Sequence, residues 1–516
     1  MSILPFRNEP LTDFSDPKNV AAFEAALAKV KGEFGRHWDL LIGGETVVTE
    51  RVIESRDPAD PDVVVGTVGR ATKDLAQRAV DEAHRVFTEY WQWTEPKFRA
   101  RILLKAAKLL RERKHEFSAT MVYEESKNWV EADADTAETI DFLEFYAREM
   151  MRLGGAQPVV PYPGEENNLY YIPLGVAVVI PPWNFPCAIM GGMTSAALVT
   201  GNTVVLKPAS TAPVVAAKFV ELMQDAGLPK GVLNFCPGGG GEVGDTLVGH
   251  PKTRLIAFTG SKEVGLHIHE LAAKHQPGQV WIKRTILEMG GKDALVVDET
   301  ADLDYAAEQA VIGAFGFQGQ KCSAMSRLIV TAPVYDEMVR KVTERAKKLV
   351  VGHPEKNTNL GAVIDAAAHG KILEYIRFGE EDGGKIECGG KAIEGGWFVE
   401  PTVFSGVKPD HRIAREEIFG PVLAVIKADD FDHAVEIFNG TEYGLTGGLI
   451  SNDRERLERA RREFFVGNLY LNRKITGALV GVQPFGGFNM SGTDSKAGGR
   501  DYLQLFMQAK SVAERL

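Results

Sequence analysis

The sequence predicts an α/β protein in which two blocks of short strands alternate with helices. Three observations lead there. A chain of 516 residues exceeds the roughly 250–300 residues at which a single core stops growing, so two or three domains are expected. From about residue 170, β-branched runs ("VAVVIPP", "NTVVLKPA", "GVLNFCPGG", "RLIAFTGS") alternate with helical stretches, the pattern of βαβ units with right-handed crossovers and a parallel sheet. A second alternating block begins at about 290.

Taken in order, the first part is rich in helices. Segments 72–90, 97–113 and 131–152 carry apolar residues at helical spacing, and Thr72 suits an N-cap. The four runs after 170 give the first sheet, of the nucleotide-binding type. The second block reads "DALVVD", a helix over 303–316, "SRLIV", a helix over 333–350, and strands near 385, 400 and 423. The blocks are expected to meet at "EMGGKD" (288–293), where a strand ends in two glycines.

Composition excludes several classes of function. The apolar fraction is 44% and the charged fraction 25%, as in ordinary globular proteins. A net charge of -11 argues against nucleic-acid or membrane-surface partners, which are themselves polyanionic. No apolar run reaches the roughly 18–20 residues that span a bilayer, and "MSILPFRNEP" has no basic region leading into an apolar core. The expectation is a cytoplasmic small-molecule enzyme. Cys187, Cys236, Cys322 and Cys388 form no CxxC pair or zinc spacing, so neither a metal site nor a disulfide framework is implied.

Open α/β sheets place ligands at strand ends. "FCPGGGGEVGDTL" carries the letters G-x-G-x-x-G at Gly239, Gly241 and Gly244, but a run of four glycines meets many patterns and an ordinary flexible turn is an equal reading. The ribose-binding acid expected after the next strand is absent, since that strand ends "AFTGS". Thr259-Gly260-Ser261 open a helix there, with amides that could face an anion or a nicotinamide ring. Lys207 closes "NTVVLKP" and can reach a ribose, or can be a surface lysine at a turn. In "FGFQGQKCSAMS" (315–326), Cys322 has a lysine directly before it and a serine directly after it.

Six motifs occur in order: "PPWNFP" (181–186), "LKPAS" (206–210), "LEMGGK" (287–292), "GQKCSA" (319–324), "EEIFGP" (416–421) and "PFGGFNMSG" (484–492). The set resembles the aldehyde dehydrogenase superfamily along nearly the whole chain. The resemblance implies a Rossmann-type NAD(P)-binding domain with N-terminal helices over 1–156 and 175–288, and a catalytic α/β domain over 289–483. An oligomerisation flap and tail would occupy 157–174 and 490–516. Cys322 matches the nucleophile, which attacks an aldehyde carbon. Asn184, with the Cys322 backbone amide, would hold the oxyanion, and Glu288 would activate water as general base.

For the cofactor, the resemblance implies that Ile180, Pro181, Pro182 and Trp183 run along the dinucleotide, with Gly240 and Gly244 in the family's glycine turn. Lys207 would hold the adenosine ribose, Glu417 the nicotinamide ribose, and Phe419 would back the ring; Thr259, Gly260, Ser261 and Val264 complete the site. The implied cofactor is NAD. Ser210 stands where many NAD-preferring relatives carry a glutamate, so NADP stays admissible.

For the substrate, Lys321 and Ser323 offer a cation and a hydroxyl to a carboxylate. The amides of Gly477-Ala478 could form a small anion nest. Phe185 and Phe485 could enclose an aliphatic stem. The combination is similar to monofunctional superfamily members that oxidise L-glutamate γ-semialdehyde, formed by ring opening of 1-pyrroline-5-carboxylate, in the second step of proline breakdown. Another acidic aldehyde such as succinate semialdehyde, and a cofactor-free cysteine hydrolase or acyl transferase, are the competing readings. The resemblance further implies a homo-oligomer built from dimers, up to a hexamer.

Overall fold

The computed structural model describes residues 4–516. Two seven-stranded sheets organise the chain. In the first the spatial order is Arg284–Glu288, Thr253–Thr259, Val176–Ile180, Thr203–Leu206, Leu233–Phe235, Leu40–Ile42, Glu45–Val47. Its first five strands are parallel, and the last two add antiparallel pairings at the edge. In the second the order is Lys385–Cys388, Thr402–Val407, Val422–Ala428, Met325–Thr331, Asp293–Val297, Thr446–Ile450, Asn468–Leu471. Only the edge strand Lys385–Cys388 is antiparallel there.

Burial on both faces explains the β-branched runs. Along Val176–Ile180, Ala177 and Val179 pack into one core while Val176, Val178 and Ile180 pack into another on the opposite face. The second sheet repeats this, with Ala294 and Val296 on one side and Leu295 and Val297 on the other. The expected helices appear as Lys73–Glu89, Pro96–Glu112, Trp129–Leu153, Leu303–Phe315 and Tyr335–Ala346. Thr72 caps the first of them, accepting from the Leu75 amide at 3.3 Å.

The chain crosses from one sheet to the other in a few residues. Glu288 ends the last strand of the first sheet and Asp293 begins the first strand of the second. The carboxyl ends of one sheet therefore meet the amino ends of the other. Cys322, just ahead of the strand Met325–Thr331, lies at this junction.

Glu165–Pro173 and Met507–Arg515 pair with each other as an antiparallel ribbon with nine residue pairs. Most of its residues are exposed or half-buried. No helix among the described residues is long and apolar enough to cross a membrane.

The second sheet is filled to contact. At Gly447, paired with Ala294, an added Cβ would lie 2.2 Å from the Phe438 ring. Gly447→Ala is therefore expected to destabilise the fold by about 1–3 kcal/mol, as overpacking does. A urea titration should show a lower midpoint with an unchanged slope.

Candidate active site

The segment that delivers Cys322 is bent in an uncommon way. After the helix Leu303–Phe315, three successive residues adopt left-handed backbone: Phe317 (φ 51), Gln318 (φ 55) and Gly319 (φ 68). For the two non-glycine residues this conformation costs on the order of 1–3 kcal/mol each unless the surroundings impose it. They do. The buried Gln318 side chain donates to the carbonyls of Ser126 (3.0 Å) and Ala362 (2.9 Å). At Gly319 an added Cβ would lie 2.3 Å from the Gly420 carbonyl, so the loop 419–421 can approach only a glycine. Gln320 then accepts from the Ile364 amide through its side chain (2.9 Å) and from Asn184 Nδ2 through its carbonyl (3.0 Å). Small residues before the cysteine are thus what close packing requires.

The Cys322 thiol is raised well above its ordinary range, first by burial and then by the negative charges of Asp293, Glu417 and Glu288. At neutral pH it rests as the protonated thiol. Lys321 was expected as a cation open to a substrate carboxylate, yet its ammonium is held by Glu131 at 2.6 Å. Burial alone would raise Glu131, but Lys321, Lys127 and Lys474 outweigh it and keep the carboxyl below its usual range.

Glu288 accepts from Ser495 Oγ (2.6 Å), Ser495 N (3.3 Å) and Gly487 N (3.2 Å). Burial outweighs these bonds and pushes its pKa up to about 7. A general base is most effective with a pKa near the working pH, and burial supplies that.

The parallel strand order of the first sheet reverses between Val176–Ile180 and Thr253–Thr259, and ligands of such sheets lie outside the carboxyl ends at that point. Ile180, Pro181, Pro182 and Trp183 lead out of one strand end; the Trp183 ring meets Phe419 edge-on at 5.5 Å. Lys207, at the next strand end, is buried and its one side-chain bond is a 3.4 Å contact to the Pro208 carbonyl. Burial lowers its pKa, and two of its three donor hydrogens stay available. The Gly240–Gly244 turn lies beside it: an added Cβ at Gly244 would be 3.7 Å from Lys207 Cε, while at Gly240 and Gly241 it would meet nothing within 4 Å. An open glycine cradle with an undersatisfied lysine at its end fits a dinucleotide. Ser210 is exposed alongside.

Two backbone amides of the Thr259–Val264 segment are already bonded: Gly260 N donates to the Glu288 carbonyl at 3.0 Å, and Val264 N to the capping Ser261 hydroxyl at 3.4 Å. Parallel pairing of Thr259 with Glu288 fixes the first of these. Glu417 accepts from the Gly291 amide at 2.8 Å, over Gly290, where an added Cβ would be 2.4 Å from its carboxylate.

On the substrate side, Phe185 meets Phe317 edge-on at 6.3 Å, and the Lys127 ammonium lies 4.1 and 4.6 Å from these rings. Lys127 pairs with Asp135 at 2.6 Å, both fully buried. Gly477 (φ 77) is exposed and Ala478 half-buried. Arg473 donates to the carbonyls of Thr476 (3.0 Å) and Gly477 (3.3 Å), shaping that turn. The carbonyl of Ser323 accepts from Thr446 at 3.5 Å, and Phe485 is fixed by paired main-chain bonds to Ala497. Sequence reading missed Glu131, Lys474, Phe317 and Ser495. The signal for Glu131 was present: with Asp135 and Glu138 it falls at i, i+4 and i+7 on one helix face. Ser495 lies just past the last motif and carried none.

The sequence profile of the aldehyde dehydrogenase family matches residues 46–512. The chain belongs to the aldehyde dehydrogenase family. Two Geobacillus proteins, both 1-pyrroline-5-carboxylate dehydrogenases, are similar over 99% of each chain: that of Geobacillus sp. (strain WCH70) at 58% identity and that of Geobacillus kaustophilus (strain HTA426) at 59%. Among solved structures, the 1-pyrroline-5-carboxylate dehydrogenase from Thermus with bound NAD superimposes with a TM-score of 0.98 at 54% identity, covering 100% of both chains. For this aldehyde dehydrogenase the thiol environment generates a prediction. In the cofactor-free protein at pH 7.5, alkylation of Cys322 by iodoacetamide should run about ten-fold slower than that of an unfolded cysteine and should keep rising past pH 9. Peptide mass spectrometry checks it, and a rate flat between pH 6 and 8 would contradict the protonated resting state.

Proposed function

We propose that this chain oxidises L-glutamate 5-semialdehyde, the open form of 1-pyrroline-5-carboxylate, to L-glutamate with NAD as the acceptor, as in proline degradation. The observation that carries this is the match over essentially the whole chain to relatives named for that reaction. The site supplies groups suited to each step.

Cys322 Sγ adds to the aldehyde carbon as its proton leaves, giving a thiohemiacetal whose oxyanion faces the Asn184 amide and the Cys322 backbone amide. One such donor is typically worth ~2.7–4 kcal/mol. Ile180–Trp183, Lys207, the glycine turn and Glu417 would hold NAD, which would supply the acceptor for the hydride that leaves this carbon. Glu288 takes a proton from the water that attacks the resulting thioester, the C–S bond breaks, and the acid departs.

Lys321 and Glu131 present a cation and an anion side by side. An amino-acid end, which carries both charges, can exchange partners with this pair, its carboxylate taking Lys321 and its ammonium taking Glu131, whereas a plain acid taking Lys321 would leave Glu131 without its cation. Ser323 and the Gly477-Ala478 turn add donors for the carboxylate. The exposed ribbon formed by Glu165–Pro173 and Met507–Arg515 supports a homo-oligomer built from dimers, since a lone two-stranded ribbon is marginal in water.

NADH formation with glutamate semialdehyde, followed at 340 nm, tests the reading directly and should vanish in Cys322→Ala. In Glu288→Gln one NADH per site should form in a burst, followed by turnover slowed by ~10²–10⁴-fold. The wild-type turnover number should climb through about pH 7, because only the carboxylate accepts the proton, and the Glu288→Gln profile should lose that rise. Ser323→Ala should raise KM for glutamate semialdehyde more than for propanal, by the ~1.5–3 kcal/mol of a hydrogen bond to a charge. Equal losses for the two aldehydes would remove Ser323 from the substrate site.

A further inference from the structure

Whereas Lys207 stands at Gly244, Arg70 stands against the glycine turn at Gly239. Its backbone is fixed beside that turn: Arg70 N donates to the Arg51 carbonyl at 2.8 Å, and Ala71 N to the carbonyl of Pro237, which leads into the glycines, also at 2.8 Å. The side chain reaches the turn: an added Cβ at Gly239 would lie 3.5 Å from its terminal nitrogen, in ordinary contact. Its acidic neighbour is Glu242, on the same turn, at 4.0 Å, with both side chains more than a third exposed. Such a pair is weak. Arg70 Nε is buried and has no hydrogen-bond partner among the described residues.

The glycine turn is therefore flanked by two cations whose donors are not fully used, Lys207 at Gly244 and Arg70 at Gly239. Two further features bear on what the second cation is for. Ser210, three residues after Lys207, is exposed and carries no charge that would repel a phosphate. A guanidinium is suited to a phosphate, which it binds through two parallel donors. A ribose held by Lys207 accounts for that lysine and leaves Arg70 without a role.

We propose that Arg70 receives the 2′-phosphate of NADP and so sets how well this chain accepts NADP beside NAD. The proposal rests on the dinucleotide reading of the turn. Approach of the phosphate draws Arg70 away from Glu242 toward the ribose, and Glu242 opposes binding by competing for the guanidinium and by repelling the phosphate.

Equilibrium binding tests it, with intrinsic tryptophan fluorescence or calorimetry as the readout and NAD, NADP, AMP and adenosine 2′,5′-bisphosphate as probes. Arg70→Met should weaken NADP and the bisphosphate roughly ten-fold or more, the scale of a lost bond to a charged group. NAD and AMP should change less than about two-fold, and Arg70→Lys should fall between. Glu242→Gln should tighten NADP about three-fold with NAD unchanged, and this variant decides the matter alone if Arg70→Met does not fold. Parallel changes for NAD and NADP, or no change in either, overturn the role of Arg70. A wild-type protein that binds NAD but not NADP also overturns it while leaving the dinucleotide reading standing. Failure to bind either dinucleotide overturns both.

Discussion

The 3.0 Å bond from the Asn184 side chain to the Gln320 carbonyl spans the junction of the two sheets, and the proposed chemistry depends on it. Asn184 belongs to the strand-end crevice of the first sheet, and Gln320 to the approach to Cys322 ahead of the second. Gln320 is also bonded through its side chain to Ile364, and Gln318 to Ser126 and Ala362. These contacts hold the left-handed turn at Phe317–Gly319 in place. All are buried, so breaking one leaves an unsatisfied polar group at a cost of about 1–3 kcal/mol, comparable to the strain they restrain.

How much of this the sequence revealed follows from burial. The parallel strands are covered on both faces, so each reads as an unbroken apolar run, and their carboxyl ends are marked by turn residues such as Pro181, Pro208 and Pro237. The helix Lys114–Glu124 was not legible because every residue from Phe117 to Glu124 is buried, which erases the polar face that reveals an amphipathic helix. The strands Arg36–Trp38 and Glu45–Val47 are three residues long and lie at sheet edges, too short to show alternation. In the site, Cys322, Glu288 and Asn184 were legible because each lies in a compact motif. The pairing of Lys321 with Glu131 was not, since 190 residues separate the partners, and no local pattern reports which charges a fold will bring together. The use of the Gly260 amide depended likewise on the register of Thr259 against Glu288.

A chain of charges runs beneath the substrate side along one face of the helix Trp129–Leu153. Glu131 takes Lys321, Asp135 takes Lys127, and Glu138, half-buried near both cations, is pushed up to about 8 by desolvation and by Asp135 and Asp141. Removing one partner of a fully buried pair such as Lys127 with Asp135 typically costs ~3–5 kcal/mol. That cost makes the arrangement rigid rather than especially stable. Lys127, held by Asp135, in turn sits over the rings of Phe185 and Phe317, so the aromatic wall and the ion pairs fix one another.

Desolvation at the junction acts on Cys322 and Glu288 in the same direction and with opposite chemical effect. Both are acids, so burial raises both. For Glu288 the rise ends near neutrality, where a carboxylate is basic enough to take a proton from water and is about half ionised near pH 7. For Cys322 the rise, reinforced by Asp293, Glu417 and Glu288 itself, keeps sulfur protonated, and a protonated thiol is a poor target for oxidants and alkylating agents. In the proposed mechanism the base, Glu288, is thus prepared in the resting protein and the nucleophile, Cys322, is not. The cation next to it in sequence, Lys321, is held by Glu131 and does not offset that rise. Partial burial, with Asp293 and Glu417 beside the thiol, gives both results, and the thiol is left with no free lysine beside it.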